Sequence, residues 1–152
     1  MKIGVLTDTH AMSFAEIPGK MKEALSKVDL IVHAGDFVSI DILNGLRNLK
    51  EVKAVHGNMD FLDVKSTLPA KEIFTVQGKR FGIIHGSGGP EGIEQRIKGM
   101  FEDMDVIVYG HSHRRRNKII DGILFFNPGP CHNSFGLVIV DKEVKAEIVD
   151  LE

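Results

Sequence analysis

The sequence predicts an α/β fold, one domain over residues 1–152, with two sheets packed face to face and helices outside. Three observations predict it. The opening alternates short apolar runs with helix-period segments, the pattern of parallel strands joined by helical crossovers. From about residue 71 onward the chain turns to hairpin signals. Polar, glycine-containing blocks follow the apolar runs, as at strand ends that approach a ligand.

The elements follow in order. Lys2 to Thr7 is short, apolar and β-branched, and it ends at Asp8, so it reads as a buried strand. Pro18 to Lys27 reads as a helix with Pro18 first and Met21, Ala24, Leu25 and Val28 on one face. Asp29 to His33 is a second strand, ending in Ala34-Gly35-Asp36. Ser39 or Asp41 caps a helix carrying Ile42, Leu43, Leu46 and Leu49. Glu51 to His56 is a third strand, ending in Gly57-Asn58-Met59-Asp60. Phe61 to Pro69 has no clear period. Lys71 to Gln77 and Arg80 to His85 form a hairpin around Gly78-Lys79. After Gly86-Ser87-Gly88-Gly89-Pro90 a helix is expected over 91–102, then a buried strand from Asp105 to Tyr109. Asp121-Gly122 turns a second hairpin, and Phe135 to Asp141 with Val144 to Leu151 makes a closing one.

Composition narrows the functional class. The chain is 43% hydrophobic and 26% charged, with a formal net charge of −2. That balance does not suit a general nucleic-acid or membrane-surface binder. A single cysteine, Cys131, excludes an intramolecular disulfide and fits a reducing compartment. No apolar run approaches a membrane span, and Asp8 arrives too early for a signal-peptide core. A cytoplasmic location is expected.

The chemistry lies at the strand ends. They read Asp8-Thr9-His10, Gly35-Asp36, Gly57-Asn58, His85-Gly86 and Gly110-His111-Ser112-His113. In open α/β sheets, ligands bind beyond the carboxyl ends of strands, so these blocks converge on one rim. They supply Asp8, His10, Asp36, Asn58, His85, His111 and His113. Seven side chains exceed one tetrahedral ion and suit two divalent ions sharing a carboxylate. Imidazole, carboxylate and amide without thiolate point to manganese, nickel, iron, cobalt or catalytic zinc. Two such ions with two carboxylates leave net positive charge, which binds a phosphate oxygen and favours in-line attack by water. The implied substrate is a small phosphate ester. Nucleic acid is not expected except as a small cleavable phosphodiester, and a second copy of the chain could wall the rim.

The five blocks in this order resemble the calcineurin-like metallophosphoesterases, especially their small bacterial and archaeal phosphodiesterase branch. The resemblance runs from Asp8 to Asn127-Pro128-Gly129. It implies a four-layer αββα sandwich of two mixed β-sheets flanked by helices, with a dinuclear centre. By matching blocks it gives one ion to Asp8, His10, Asp36 and His113, the other to Asp36, Asn58, His85 and His111, with Asp36 bridging. His111 and His113 lie at i and i+2, which on an extended backbone share a side; the resemblance instead hands one to each ion. Asp36 and Asn58 are thereby the leading catalytic candidates.

One position departs from the family's pattern. Many members carry histidine after the Gly-Asn pair as a proton donor to the leaving group, but this chain has Met59. A thioether cannot donate a proton. The substitutes are His132, just past the Asn127-Pro128-Gly129 loop, His56 and a metal-bound water. His33 and Asp60 read as supports for ligands or loops. Gly86-Ser87-Gly88-Gly89 reads equally as a flexible turn or a site wall, and Arg114-Arg115-Arg116 as a solvated face with a role toward phosphate substrates left open. The alternatives to catalysis are a phosphoesterase-fold scaffold that binds protein partners and, third, a regulatory nucleotide-binding module.

Overall fold

The computed structural model describes residues 1–151. Its strands, numbered in chain order, form two five-stranded sheets. The first contains β1 (Lys2–Leu6), β2 (Leu30–His33), β3 (Val52–Ala54), β9 (Ser134–Val140) and β10 (Val144–Asp150), in the order β10-β9-β1-β2-β3. The second contains β4 (Lys71–Val76), β5 (Lys79–Ile84), β6 (Val106–Val108), β7 (Arg116–Ile120) and β8 (Ile123–Asn127), in the order β4-β5-β6-β8-β7. Both are mixed. β1, β2 and β3 run parallel in one sheet, and β5, β6 and β8 run parallel in the other. The remaining pairings are antiparallel. This is the expected αββα sandwich.

Period-two alternation builds the layers. Ile3, Val5, Val32, Val106, Val108, Phe126 and Val138 face the space between the sheets and form one buried cluster. The alternate residues Leu6 and Ile31 pack outward against Met21 and Leu25 of α1 (Gly19–Leu25) and Ile42 and Leu46 of α2 (Ile40–Leu49). Ile107 and Phe125 face out of the second sheet onto Ile93 and Ile97 of α4 (Ile93–Lys98). Each such side chain contributes about 1.5–3 kcal/mol on burial, which holds both sheets to the rigidity a site needs.

Several local expectations change. Pro18 is the N-cap of α1, not its first residue, and the helix stops at Leu25. The stretch without a clear period forms α3 (Leu62–Thr67). The helix expected over 91–102 is only Ile93–Lys98, because Gly92 is left-handed at its N-cap with φ 73° and Gly99 closes it. The first hairpin turns on Gln77-Gly78, not Gly78-Lys79. Both residues have positive φ, 52° and 80°, and Lys79 pairs with Val76. No helix among the described residues is long and apolar enough to cross a membrane.

The parallel directions matter most for function. Asp8, Asp36 and Asn58 follow the carboxyl ends of β1, β2 and β3, and His85 and His111 follow those of β5 and β6. The two sheets present these ends at one edge of the sandwich. Pairing continues past β1 and β2 through Asp8 N–H to the Gly35 carbonyl (3.0 Å), His10 N–H to the Asp36 carbonyl (3.1 Å) and Ala11 N–H to the Phe37 carbonyl (3.2 Å).

Candidate metal centre

Asp8 and Asp36 are buried almost completely, at 0% and 2% exposure. A buried carboxylate needs partners. Asp8 Oδ2 accepts from the Thr7 hydroxyl (2.9 Å) and the His111 N–H (3.2 Å), whereas its buried Oδ1 has no hydrogen-bond partner among the described residues. Asp36 Oδ1 accepts from the Met59 N–H at 2.8 Å. Each carboxylate thus has one oxygen tied to protein and one turned to the rim.

Imidazoles surround the free oxygens. Asp8 Oδ1 is 3.6 Å from His10 Nε2, 3.4 Å from His113 Nε2 and 3.8 Å from His85 Nε2. Asp36 Oδ2 is 3.6 Å from His10 Nε2 and 3.1 Å from His85 Nε2. Two sets of three therefore converge, Asp8 with His10 and His113, and Asp8 with Asp36 and His85. His85 is the most telling member. Its Nδ1–H donates to the Ala34 carbonyl at 2.8 Å, which in the neutral ring leaves Nε2 as the lone-pair nitrogen. That buried Nε2 has no hydrogen bond among the described residues, although Asp36 Oδ2 lies 3.1 Å away. Orphaned lone pairs on Asp8 and His85, facing each other's neighbours, suit a cation between them, and the donor set fits a divalent transition ion.

The electrostatics couple the same groups. Burial alone would raise the Asp36 pKa, but His85 and the Met59 N–H outweigh it and leave it lowered. Burial would likewise lower His85, but Asp36 and Asp8 outweigh it and leave it raised. Each group therefore depends on opposite charge to offset its desolvation.

The backbone is strained where the donors sit. Asp8, His10, Asp36, His111 and His113 all have left-handed φ, at 52°, 48°, 60°, 69° and 58°. Such conformations cost non-glycine residues on the order of 1–3 kcal/mol each and collect at functional sites. They correct the extended reading of the His111-Ser112-His113 stretch. The Ser112 N–H donates back to the Gly110 carbonyl at 2.8 Å, and the two rings separate. The His113 ring meets His10, and the His111 ring meets His85, each edge-on with centroids 5.3 Å apart. His111 Nε2 lies 3.0 Å from the Gly88 carbonyl, a bond that makes Nε2 the donor and leaves Nδ1 free.

Supporting residues lock these loops. The Asp60 carboxylate accepts from the N–H groups of Asp36 (3.0 Å), Val38 (2.7 Å) and Gly57 (2.7 Å), so it joins two donor loops. His33 is fully buried; its Nδ1 accepts from Gly35 N–H at 3.0 Å and its Nε2 lies 2.7 Å from the Thr9 hydroxyl. Asn127 was not assigned a role from sequence. It is buried, and its side-chain amide donates to the Gly110 carbonyl and the Ser112 hydroxyl, while its oxygen accepts from Gly129 N–H. A polar residue ending an apolar strand was the available signal. Close approach explains two glycines. A Cβ at Gly110 would lie 2.0 Å from Thr7 Oγ1, and one at Gly57 would lie 2.2 Å from Asp36 Oδ1.

His111 joins neither converging set and meets the centre through its ring contact with His85. Asn58 is exposed and lines a cavity beside His85. His132 is exposed on the turn after β8 and joins neither set. Met59 is also exposed. Cys131 is buried, and burial pushes its thiol up to about 12, so it is an inert packed residue. The arginine run is largely matched by acids: Arg114 with Glu91 at 3.7 Å, Arg116 with Glu94 at 3.6 Å and Arg115 with Asp150.

Known proteins are similar to this chain in sequence and fold. Residues 1–142 match the family model described as the calcineurin-like phosphoesterase superfamily domain. A probable metallophosphoesterase of Methanocaldococcus jannaschii is 36% identical, covering 100% of this chain and 82% of its own. A phosphodiesterase of the same organism is 30% identical over 98% of this chain and 99% of its own. The crystal structure of Vps29 from Entamoeba histolytica complexed with zinc superposes with a TM-score of 0.76 at 23% identity, covering 100% of both chains, which bears on the fold alone. Taken with the rim geometry, these matches establish that the chain belongs to the calcineurin-like phosphoesterase superfamily.

Proposed function

We propose that the protein hydrolyses phosphodiesters at a dinuclear divalent-metal centre. The observation that carries this reading is the pair of buried, unpartnered lone-pair atoms, Asp8 Oδ1 and His85 Nε2, set within one imidazole-carboxylate cluster. Asp8, His10, Asp36 and His113 would hold one ion, and Asp36, Asn58, His85 and His111 the other. Asp36 is assigned as the bridge because its free oxygen lies close to both His10 and His85, at 3.6 and 3.1 Å. Manganese, nickel, iron, cobalt and zinc all suit the donors. When bound, such ions supply positive charge for phosphate oxygens and make water a better nucleophile at neutral pH.

The chain's own groups set the rest. The Thr7 hydroxyl and the His111 and Met59 N–H groups fix the carboxylates before substrate arrives. The arginine run pairs with Glu91, Asp150 and Glu94 at the surface. Met59 offers no proton to a leaving group, and His132 stands outside the converging sets, so activated esters should turn over fastest.

The test is turnover of an aryl phosphodiester against an aryl phosphomonoester with added manganese or nickel. Metal-dependent hydrolysis that favours the diester supports the reading. No turnover of either ester overturns it. The second reading, a partner-binding scaffold, is favoured by exposed apolar side chains beside the donor blocks, Met12, Met59, Phe61 and Leu62. Elemental analysis separates the two: about two ions per chain supports catalysis, and none after metal-supplemented growth supports the scaffold.

A further inference from the structure

The end of the sandwich opposite the donor rim holds a groove of about 710 Å³. It is lined where strands begin, by Lys79 of β5, by Gly122 before β8 and by Lys142 before β10. The edge strands β7 and β10, one from each sheet, flank it. Ile119 of β7 is the exception to the packing of the inner layer. Its pairing partner Leu124 packs against the inner cluster, yet 69% of the Ile119 surface is exposed. Across the groove, Val144 and Ala146 of β10 are half-buried against the same cluster.

The pairing pattern turns main-chain groups of both strands to the open side. The Phe126 carbonyl accepts from Tyr109 N–H and Leu124 N–H donates to the Asp105 carbonyl, so both residues address the β6 side. Their partners on β7, Asn117 and Ile119, therefore face away from β8. On β9, Val140 exchanges main-chain bonds with Met1, so Val144 and Ala146 of β10 likewise face away from β9. The Asn117 side-chain amide donates to the Ala146 carbonyl at 2.9 Å and ties the two edges together on the rim side of Ile119. Beyond that tie the edges at Ile119 and Val144 stay open. An open edge is a template for another strand.

Charge selects the strand. Lys79, Lys118 and Lys142 line the groove against two acids, Asp105 and Glu143. None of the three lysines forms an ion pair among the described residues, where lysine pairs are Lys27–Glu23 and Lys98–Asp121. Asp105 already accepts from Arg80 N–H at 2.8 Å. A second copy fits poorly. In the twofold register centred on β7, Lys118 would face its own copy, and like charges directly opposite destabilise a strand pair.

We propose that this groove docks an extended acidic segment of another protein, which adds as a strand to the open edge of β7. Main-chain bonds to Asn117 and Ile119 supply affinity, and alternate side chains supply specificity. The apolar ones cover Ile119, Leu124 and Val144, and the carboxylates meet Lys118, Lys79 and Lys142. The site stands apart from the rim and does not rest on the hydrolytic reading.

The test uses the zinc-loaded protein and short fluorescein-labelled peptides: one alternating valine and glutamate, one alternating valine and lysine, and the glutamate peptide N-methylated at alternate residues in each of the two phases. At low salt the glutamate peptide should bind at least about ten-fold tighter than the lysine peptide by anisotropy. One N-methylated phase should lose at least about ten-fold of that affinity. Lys118→Glu, at an exposed position, should erase the preference for glutamate, and Ile119→Asp should weaken the glutamate peptide about ten-fold or more. Amide shifts should gather at Asn117, Ile119 and Val144. Equal affinities of the two charged peptides, indifference to Lys118→Glu, indifference to N-methylation in both phases, or shifts confined to the rim would each overturn the assignment. Sedimentation showing a dimer that Ile119→Asp abolishes would also overturn it, by giving the edge to a second copy.

Discussion

At the scale of single residues, the centre depends on atoms left unsatisfied as much as on atoms bonded. Asp8 and Asp36 each commit one oxygen to the protein and keep the other for the rim. His85 spends its Nδ1–H on the Ala34 carbonyl, which selects the tautomer a cation requires. Met59 is the position where the chemistry is thinnest. Its N–H orders Asp36 while its exposed thioether can give no proton. Met59→His keeps that N–H and adds an ionisable ring at the rim. It should raise turnover of an alkyl phosphodiester by about ten-fold or more while changing an activated aryl diester less, since general acid help is worth up to 10²–10⁴-fold for poor leaving groups. Equal effects on both esters would show that leaving-group protonation is already supplied elsewhere.

At the scale of elements, the strands are ordinary and the loops are strained. Asp60 links the loop after β2 to the loop after β3 through three backbone N–H groups. Asp60→Asn exchanges one acceptor oxygen for a donor facing an N–H. Metal affinity should fall about 10–100-fold, the usual effect of losing a group that orients a ligand. Metal titration of the folded variant checks this, and unchanged affinity would free Asp60 of that role. His33 adds a dependence on pH. Burial, aided by the nearby His85, lowers its pKa from 6.5 to about 3. Between those values the unfolded chain binds a proton that the folded chain refuses, so stability falls as pH drops below 6.5. From about pH 7 to about pH 5 the wild type should lose about 2 kcal/mol more stability than His33→Gln, measured by denaturant unfolding without metal. Parallel losses in both would place the sensitivity elsewhere.

The elements also divide what sequence can and cannot carry. The strand-end placement of Asp8, Asp36, Asn58, His85 and His111 was legible because each follows an apolar run. The Asp121-Gly122 turn was legible for the same local reason. The Gln77-Gly78 turn was not, because glutamine is a poor marker of left-handed backbone and pairing along β4 and β5 decides the register. The left-handed His111 and His113 were equally hidden. Their strain is sustained by distant groups, among them Asn127 on β8, which bonds the Gly110 carbonyl and the Ser112 hydroxyl. The cavity lined by His56, Lys65 and Met100 gathers residues from the loop after β3, from α3 and from the turn after α4, which share no pattern along the chain.

At the scale of the molecule, two mixed sheets bring their parallel strands to a common edge, and the helices outside serve to bury the outer faces. The inner cluster of β-branched and aromatic residues makes a stiff base on which the donor loops can hold left-handed conformations. The central claim is that this edge holds two ions bridged by Asp36. The most direct test is metal content by elemental analysis together with aryl phosphodiester turnover, in the wild type and in Asp36→Asn. The account predicts about two divalent ions per wild-type chain, loss of both on substitution, and a fall in turnover of at least about 10³-fold. An Asp36→Asn protein that keeps its metal and its turnover would contradict it.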